Sequence, residues 1–113
     1  MLGCLSPVQI LYFFSDAHCV KVFNNAGVYL YDIGSEGSGD GQLSVPTGLV
    51  INQFNYLIVF DQGNKRLQLF TLDGKFVSKL ECNQFYRLSS IALSSSGHLF
   101  VTEYLNECIF VFR

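Results

Sequence analysis

The chain has 113 residues, with nine acidic and seven basic side chains, four cysteines and two histidines. That length ordinarily makes one domain. Cys4, Cys19, Cys82 and Cys108 include no Cys-x-x-Cys pair, which excludes a zinc finger of RING spacing, and the only histidines, His18 and His98, fall on different strand ends of different repeat units, so no metal or other cofactor is expected.

Residues 1–9 fit no strand of the pattern that follows. The apolar run from Val8 to Phe14 is broken only by Gln9. No Lys or Arg precedes it, no small-residue cleavage site follows, and it is far too short to span a bilayer. It reads as a strand, and no membrane association is expected. Short alternating apolar runs without helical periodicity then predict strands at 10–14, 20–24 and 28–32, at 48–51, 57–61, 66–71 and 76–80, and at 90–93, 99–103 and 109–112. No helix longer than a turn or two is expected. Leu72-Asp73-Gly74-Lys75 predicts a hairpin turn, because Asp-Gly supplies the positive φ such turns need. The glycine-rich stretch 34–41 lacks the following helix and the Lys-Ser/Thr of a phosphate-binding loop. It reads as a flexible connection.

The runs recur. Gln42/Gln84, Leu57/Leu99, Asp61/Glu103 and Phe70/Phe112 each lie 42 residues apart, while Val20-Lys21-Val22-Phe23 repeats Leu67-Gln68-Leu69-Phe70, and Gly27 repeats Gly74, at 47. A period of about 40 to 45 residues with four strands per unit is the composition of a propeller blade. The expected fold is therefore all-β, a partial propeller of about two and a half four-stranded blades. The expected organisation is a non-repeat segment at 1–9, a three-stranded partial blade at 10–33, a complete blade at 34–80 and a three-stranded partial blade at 81–113.

The middle unit, Gln42-Leu43-Ser44-Val45-Pro46-Thr47-Gly48 through Asp61-Gln62-Gly63-Asn64-Lys65-Arg66-Leu67-Gln68-Leu69-Phe70, resembles the NHL repeat almost position for position. Together with Val20-Lys21-Val22-Phe23-Asn24 and the approach 34–42, it is similar to the carboxy-terminal propeller of tripartite-motif ubiquitin ligases, most of all to their filamin-propeller branch. The last unit departs from the pattern at Glu103, at Glu107-Cys108 and at Leu88. Because a closed propeller of this family needs about six blades, the resemblance implies a fragment, with a RING, a B-box, a coiled coil, a filamin-type repeat and further blades upstream in the parent. With no RING spacing among the cysteines, ubiquitin-transfer chemistry is expected to lie outside these residues, and the lack of leader or anchor features around Val8 to Phe14 makes a cytoplasmic protein the expectation. Outer blades without neighbours would expose apolar faces, so self-association is expected.

Within the repeat, Asp61 and Glu103 occupy one slot and read as strand-end acceptors for amides of the following turn. Asn64 reads as a cap on that turn and Arg66 as a stem laid across the neighbouring blade. The cysteines read as buried thiols. The second-to-third-strand turns and the blade-to-blade loops share one face, the expected interaction surface. Its charges are Asp16, Glu36, Asp40, Asp61, Glu81, Glu103 and Glu107 against Lys65, Arg66 and Arg87. Seven acids against three bases is the wrong sign for a phosphate backbone. A protein partner is expected, with RNA binding and post-transcriptional repression as the alternative that the resemblance keeps open. The candidate binding residues are Gln62, Asn64, Lys65, Arg87, Tyr104, Asn106 and Glu107. Phe85 and Tyr86 share that face with them, and Phe85 also reads as packing between blades, as Leu43 would in the matching slot.

Overall fold

The computed structural model describes the backbone of residues 9–14, 17–81, 88–103 and 108–112, and the side chains of 17–81 and 91–101. Among the described residues there are ten strands: β1 (Gln9–Phe14), β2 (Cys19–Asn24), β3 (Tyr29–Ile33), β4 (Pro46–Ile51), β5 (Tyr56–Asp61), β6 (Arg66–Thr71), β7 (Phe76–Glu81), β8 (Leu88–Leu93), β9 (Leu99–Glu103) and β10 (Cys108–Phe112). They form three antiparallel sheets in chain order, β1-β2-β3, β4-β5-β6-β7 and β8-β9-β10. Strand β4 packs against both β1 and β8. A single 3-10 turn, Gln62–Asn64, is the only helical element among the described residues, and no helix among them is long and apolar enough to cross a membrane.

Two boundaries differ from the sequence reading for one physical reason. The register shifts between Pro46 and Gly48 and between Leu88 and Ser90, so each inner strand starts two residues earlier than alternation suggests. Matching bulges lie at Val22/Phe23 and Leu69/Phe70. The bulges keep the sequence offsets of 42 and 47, so the repeat persists in the irregularities of the backbone as well as in its strands. Strand β3 lies one residue later than expected at both ends, β7 ends one residue later, and β1, β2, β5 and β10 each begin one residue earlier, which brings Gln9 into β1.

Alternation along β5 explains why its interior, Leu57 to Phe60, is apolar throughout. Leu57 and Val59 pack with Phe70 against Val20, Val22, Ile33 and Leu43, whereas Phe60 joins Leu67 against Leu99 and Val101 on the opposite face. A strand covered on both faces has no position left for water, and each fully buried Leu or Phe contributes about 1.5–3 kcal/mol. Gly48 permits the close approach of β4 to β8, since a Cβ there would stand 3.0 Å from Cγ2 of Ile91.

The four hairpin turns on one edge of the sheets share a single construction. The side-chain oxygens of Asn24, Asn52, Thr71 and Ser94 accept the amides of Val28, Tyr56, Lys75 and His98 at 2.9–3.0 Å. The fourth residue of each is left-handed: Gly27 at +83°, Asn55 at +64°, Gly74 at +99° and Gly97 at +90°. The Asp-Gly turn expected at 72–75 is one of them.

Candidate functional site

At the other end of the strands lies the edge on which the sequence placed the interaction surface. Asp61 closes β5, the 3-10 turn follows, Lys65 is left-handed at φ 52°, and Arg66 opens β6. The Asp61 carboxylate is fully buried. Its Oδ1 accepts the Ser44 amide at 2.7 Å, and its Oδ2 accepts from Arg66 Nε at 2.6 Å, Asn64 Nδ2 at 3.0 Å and Gln68 Nε2 at 3.1 Å. Arg66 Nη2 donates to the carbonyls of Gly39 at 2.9 Å and Gln42 at 2.8 Å. Gln68 donates to that same Gln42 carbonyl and accepts the Gly41 amide. Asn64 donates to Gly37 O at 2.9 Å.

Two expectations are corrected by this network. Asp61 makes no side-chain cap on the turn that follows it and instead holds an amide of the preceding loop. The stretch 34–41 is a clamped connector, since its carbonyls and amides are taken up by β6 and by its own closing bonds, Leu43 N to Ser35 O at 2.7 Å and Gly37 N to Leu43 O at 3.1 Å. The charges are buried at a cost that only this full set of partners offsets.

His18 ties the first sheet into the same edge. Its Nδ1 accepts the Val45 amide at 3.0 Å while its Nε2 stands 3.7 Å from Glu36 Oε2. His18 and Lys65 are 47 residues apart, the repeat offset, and both are left-handed, at φ 54° and 52°. Val45 is a β-branched residue at φ +49° with its side chain partly exposed, a conformation that persists only where surrounding bonds impose it. His18 and Val45 were missed as loop-face residues. The offset that aligns His18 with Lys65 and Val45 with Arg87 was the signal that could have found them.

Of the candidate binding residues, Gln62 and Lys65 lie on the 3-10 turn and its end, Gln62 half-buried and Lys65 exposed, whereas Asn64 turns its amide inward. Arg87, Tyr104, Asn106 and Glu107 lie outside the described residues, as do Cys4, Cys82, Phe85 and Tyr86. Burial removes Asp61 and Arg66 from the surface, and of the other charges expected on this face the described side chains are Glu36, Asp40 and Glu81 against Lys65, all exposed. Asp40 is paired with Lys79 of β7 at 3.0 Å. Cys19, at the slot Arg66 fills in the middle unit, is buried, and burial first and the Asp32 charge second push its thiol above the ordinary range.

The family described as a 6-bladed beta-propeller matches residues 10–107. Protein brain tumor of Drosophila melanogaster is 44% identical over 82 residues, covering 67% of this chain and 8% of that protein. Protein lin-41 of Caenorhabditis elegans is 50% identical over 46 residues, covering 41% and 4%, and E3 ubiquitin-protein ligase TRIM71 of Rattus norvegicus is 40% identical over 53 residues, covering 47% and 6%. The chain thus spans less than a tenth of the length of these relatives. Among solved structures, a putative exported protein of Bacteroides fragilis superposes with a TM-score of 0.76 at 20% identity, over 91% of this chain and 31% of that one. An inactive virginiamycin B lyase of Staphylococcus aureus superposes with 0.70 at 19%, over 96% and 38%; both likenesses are of fold alone. Three adjacent antiparallel sheets, bulges in register at the repeat offset and a family match over nearly all of their length place this chain in the six-bladed β-propeller family, with the NHL-type repeats of the TRIM-NHL proteins.

Proposed function

We propose that this chain is a protein-interaction module with no catalytic residue of its own, the substrate- or cargo-recognition part of a tripartite-motif E3 ubiquitin ligase acting in the cytoplasm. The inward commitment of Asp61 and Arg66 carries this reading. The strand-end carboxylate has four donors on it and no exposure, so it is unsuited to act as acid, base or nucleophile. It serves instead to hold the loop face in one shape. That face presents short, hydrogen-bonded turns with exposed side chains, an arrangement suited to recognising a protein surface.

Its acid surplus works against a phosphate chain, whose affinity rests on Lys and Arg contacts. The likeness to TRIM71, an E3 ubiquitin-protein ligase, supports the degradation pathway. The proposed contact residues are Gln62, Asn64, Lys65, Arg87, Tyr104, Asn106 and Glu107, to which Val45 and Glu36 are added. The test places a photo-crosslinking amino acid at position 65 or at position 75 of the chain in cells. Protein adducts at 65 and none at 75 are expected. RNA adducts at 65, with affinity for the recovered RNA falling steeply as salt is raised, would replace the protein reading by the RNA one.

A further inference from the structure

The opposite edge carries a feature that the repeat does not require. The four hairpin turns are built alike from a capping first residue and a left-handed fourth. Their third positions hold Ala26, Phe54, Asp73 and Ser96. Ala, Asp and Ser complete this turn equally well, so nothing in its geometry calls for an aromatic ring. Phe54 is nevertheless 70% exposed, the most exposed large apolar side chain among the described residues. The turn holding it is fixed, with Asn52 Oδ1 accepting both the Phe54 amide at 2.9 Å and the Tyr56 amide at 3.0 Å, and Asn55 N bonded to Asn52 O at 3.0 Å.

Beside Phe54, between the second and third sheets, opens a cavity of about 390 Å³ walled by Ile58, Leu69, Leu93 and Leu99. Its volume falls in the range of about 300–1,000 Å³ typical of ligand pockets. None of the described lining residues is charged. The polar oxygens at its ends, Asn52 Oδ1 and Ser94 Oγ, are already spent on turn amides. A charged group entering would be stripped of water without a counter-charge, at a cost of several kcal/mol. Gln53 and Ser95 at the mouth carry an amide and a hydroxyl suited to a peptide backbone.

We infer that Phe54 and this cavity form a second docking site, which takes an uncharged peptide segment of a partner protein through one bulky apolar side chain. The inward-facing leucines and isoleucine receive that side chain, the Phe54 ring covers it, and Gln53 and Ser95 meet the flanking backbone. A rigidly held aromatic beside an apolar pocket is the composition of an interface anchor. The site lies at the opposite ends of the strands from Lys65 and is independent of the loop-face reading.

The test selects a phage-displayed library of random dodecamers on the full 113-residue chain, then measures synthetic versions of the enriched peptides by fluorescence polarisation. Enriched peptides are expected to carry a bulky apolar residue without adjacent charge. Phe54→Ser, which installs the residue type already present at position 96, and Ser95→Asp, which puts a charge at the mouth, should each weaken binding about tenfold or more. Lys65→Ala should leave it unchanged. The proposal is overturned if no peptide is enriched, if the enriched peptides are charged, or if binding survives both substitutions. It is equally overturned if sedimentation shows that Phe54→Ser dissociates a dimer, since the occupant is then a second copy of the chain.

Discussion

Oδ2 of Asp61 and Nε of Arg66 lie 2.6 Å apart, with the two side chains 0% and 2% exposed. The last residue of β5 and the first of β6 thus form a buried ion pair across their own turn. Asp61→Asn keeps the volume and removes the charge, which leaves the guanidinium uncompensated. A loss of about 3–5 kcal/mol is expected. Urea unfolding of the two proteins measures it, and a difference below about 1 kcal/mol would mean that the loop carbonyls alone satisfy Arg66.

Steric fit at Gly63 makes a second expectation. A Cβ there would lie 2.5 Å from the Ser44 carbonyl oxygen and 2.7 Å from Ser44 Cβ. Gly63→Ala should therefore push the loop off its turn, break the 2.8 Å bond from Gly63 N to Ser44 O and cost about 1–3 kcal/mol. Gly97→Ala meets no atom within 4 Å but sits at φ +90°, so its cost, about 1–2 kcal/mol, is purely conformational. Thermal melts give both losses. Amide shifts separate them, because only the Gly63 change should move Ser44.

The sheet patterning was legible because alternation and a fixed offset are local properties of the chain. Strands β6 and β9 fall where the sequence put them, β3 is shifted by one residue at both ends, and each other strand differs at one edge, by two residues at the bulges of β4 and β8 and by one elsewhere. The role of Asp61 was not legible. Its partner Ser44 lies 17 residues upstream, and no local pattern tells which loop will fold over a strand end. The only trace was polar Arg66 and Gln68 alternating with Leu67 and Leu69 on one strand, a period-2 signal for polar groups facing a common acceptor. Phe54 was passed over for the opposite reason: as one aromatic in a chain with eleven Phe, it stood out only when the four turns were superposed.

The outer surface of the first sheet sets a pH dependence. Lys21 Nζ lies 2.9 Å from Asp32 Oδ1, and Tyr29 donates its hydroxyl to the same oxygen at 3.0 Å. The Lys21 ammonium, then the Tyr29 hydroxyl, hold the Asp32 carboxyl below its usual range, while Asp32 raises Lys21. A lowered carboxyl stabilises the fold above its ordinary range and loses that contribution as pH falls through the lowered value. A raised ammonium stabilises below its ordinary range and loses it as pH rises through the raised one. The melting difference between the natural chain and Asp32→Asn should thus be flat near neutrality and shrink at both extremes, and salt should reduce it everywhere. A difference that grew on acidification would contradict the pairing.

For the loop face, Tyr104→Ala or Arg87→Ala should weaken binding of the partner recovered by crosslinking by about 1–2 kcal/mol while leaving the melting temperature in place. Lys75→Ala, on the opposite turn, should have no effect. Lys79 is a poorer control than its place on the outer strand suggests, because its ion pair with Asp40 reaches the loop. Isothermal titration of the three variants decides the matter, and a loss confined to Lys75→Ala would put the face on the wrong side.

The connector between the first and second sheets is bonded mainly to the second. Gly41 and Ser44 donate their amides to Gln68 and Asp61, and the carbonyls of Gly39 and Gln42 rest on Arg66. In hydrogen-exchange terms, these amides belong to the cooperative unit of β5 and β6, although they precede both in the chain. Their deuterium uptake should follow the opening of the middle sheet, and the connector should remain protected while the first sheet detaches. The weakest seam in the chain then falls at Gly34, where β3 ends and the borrowed protection begins.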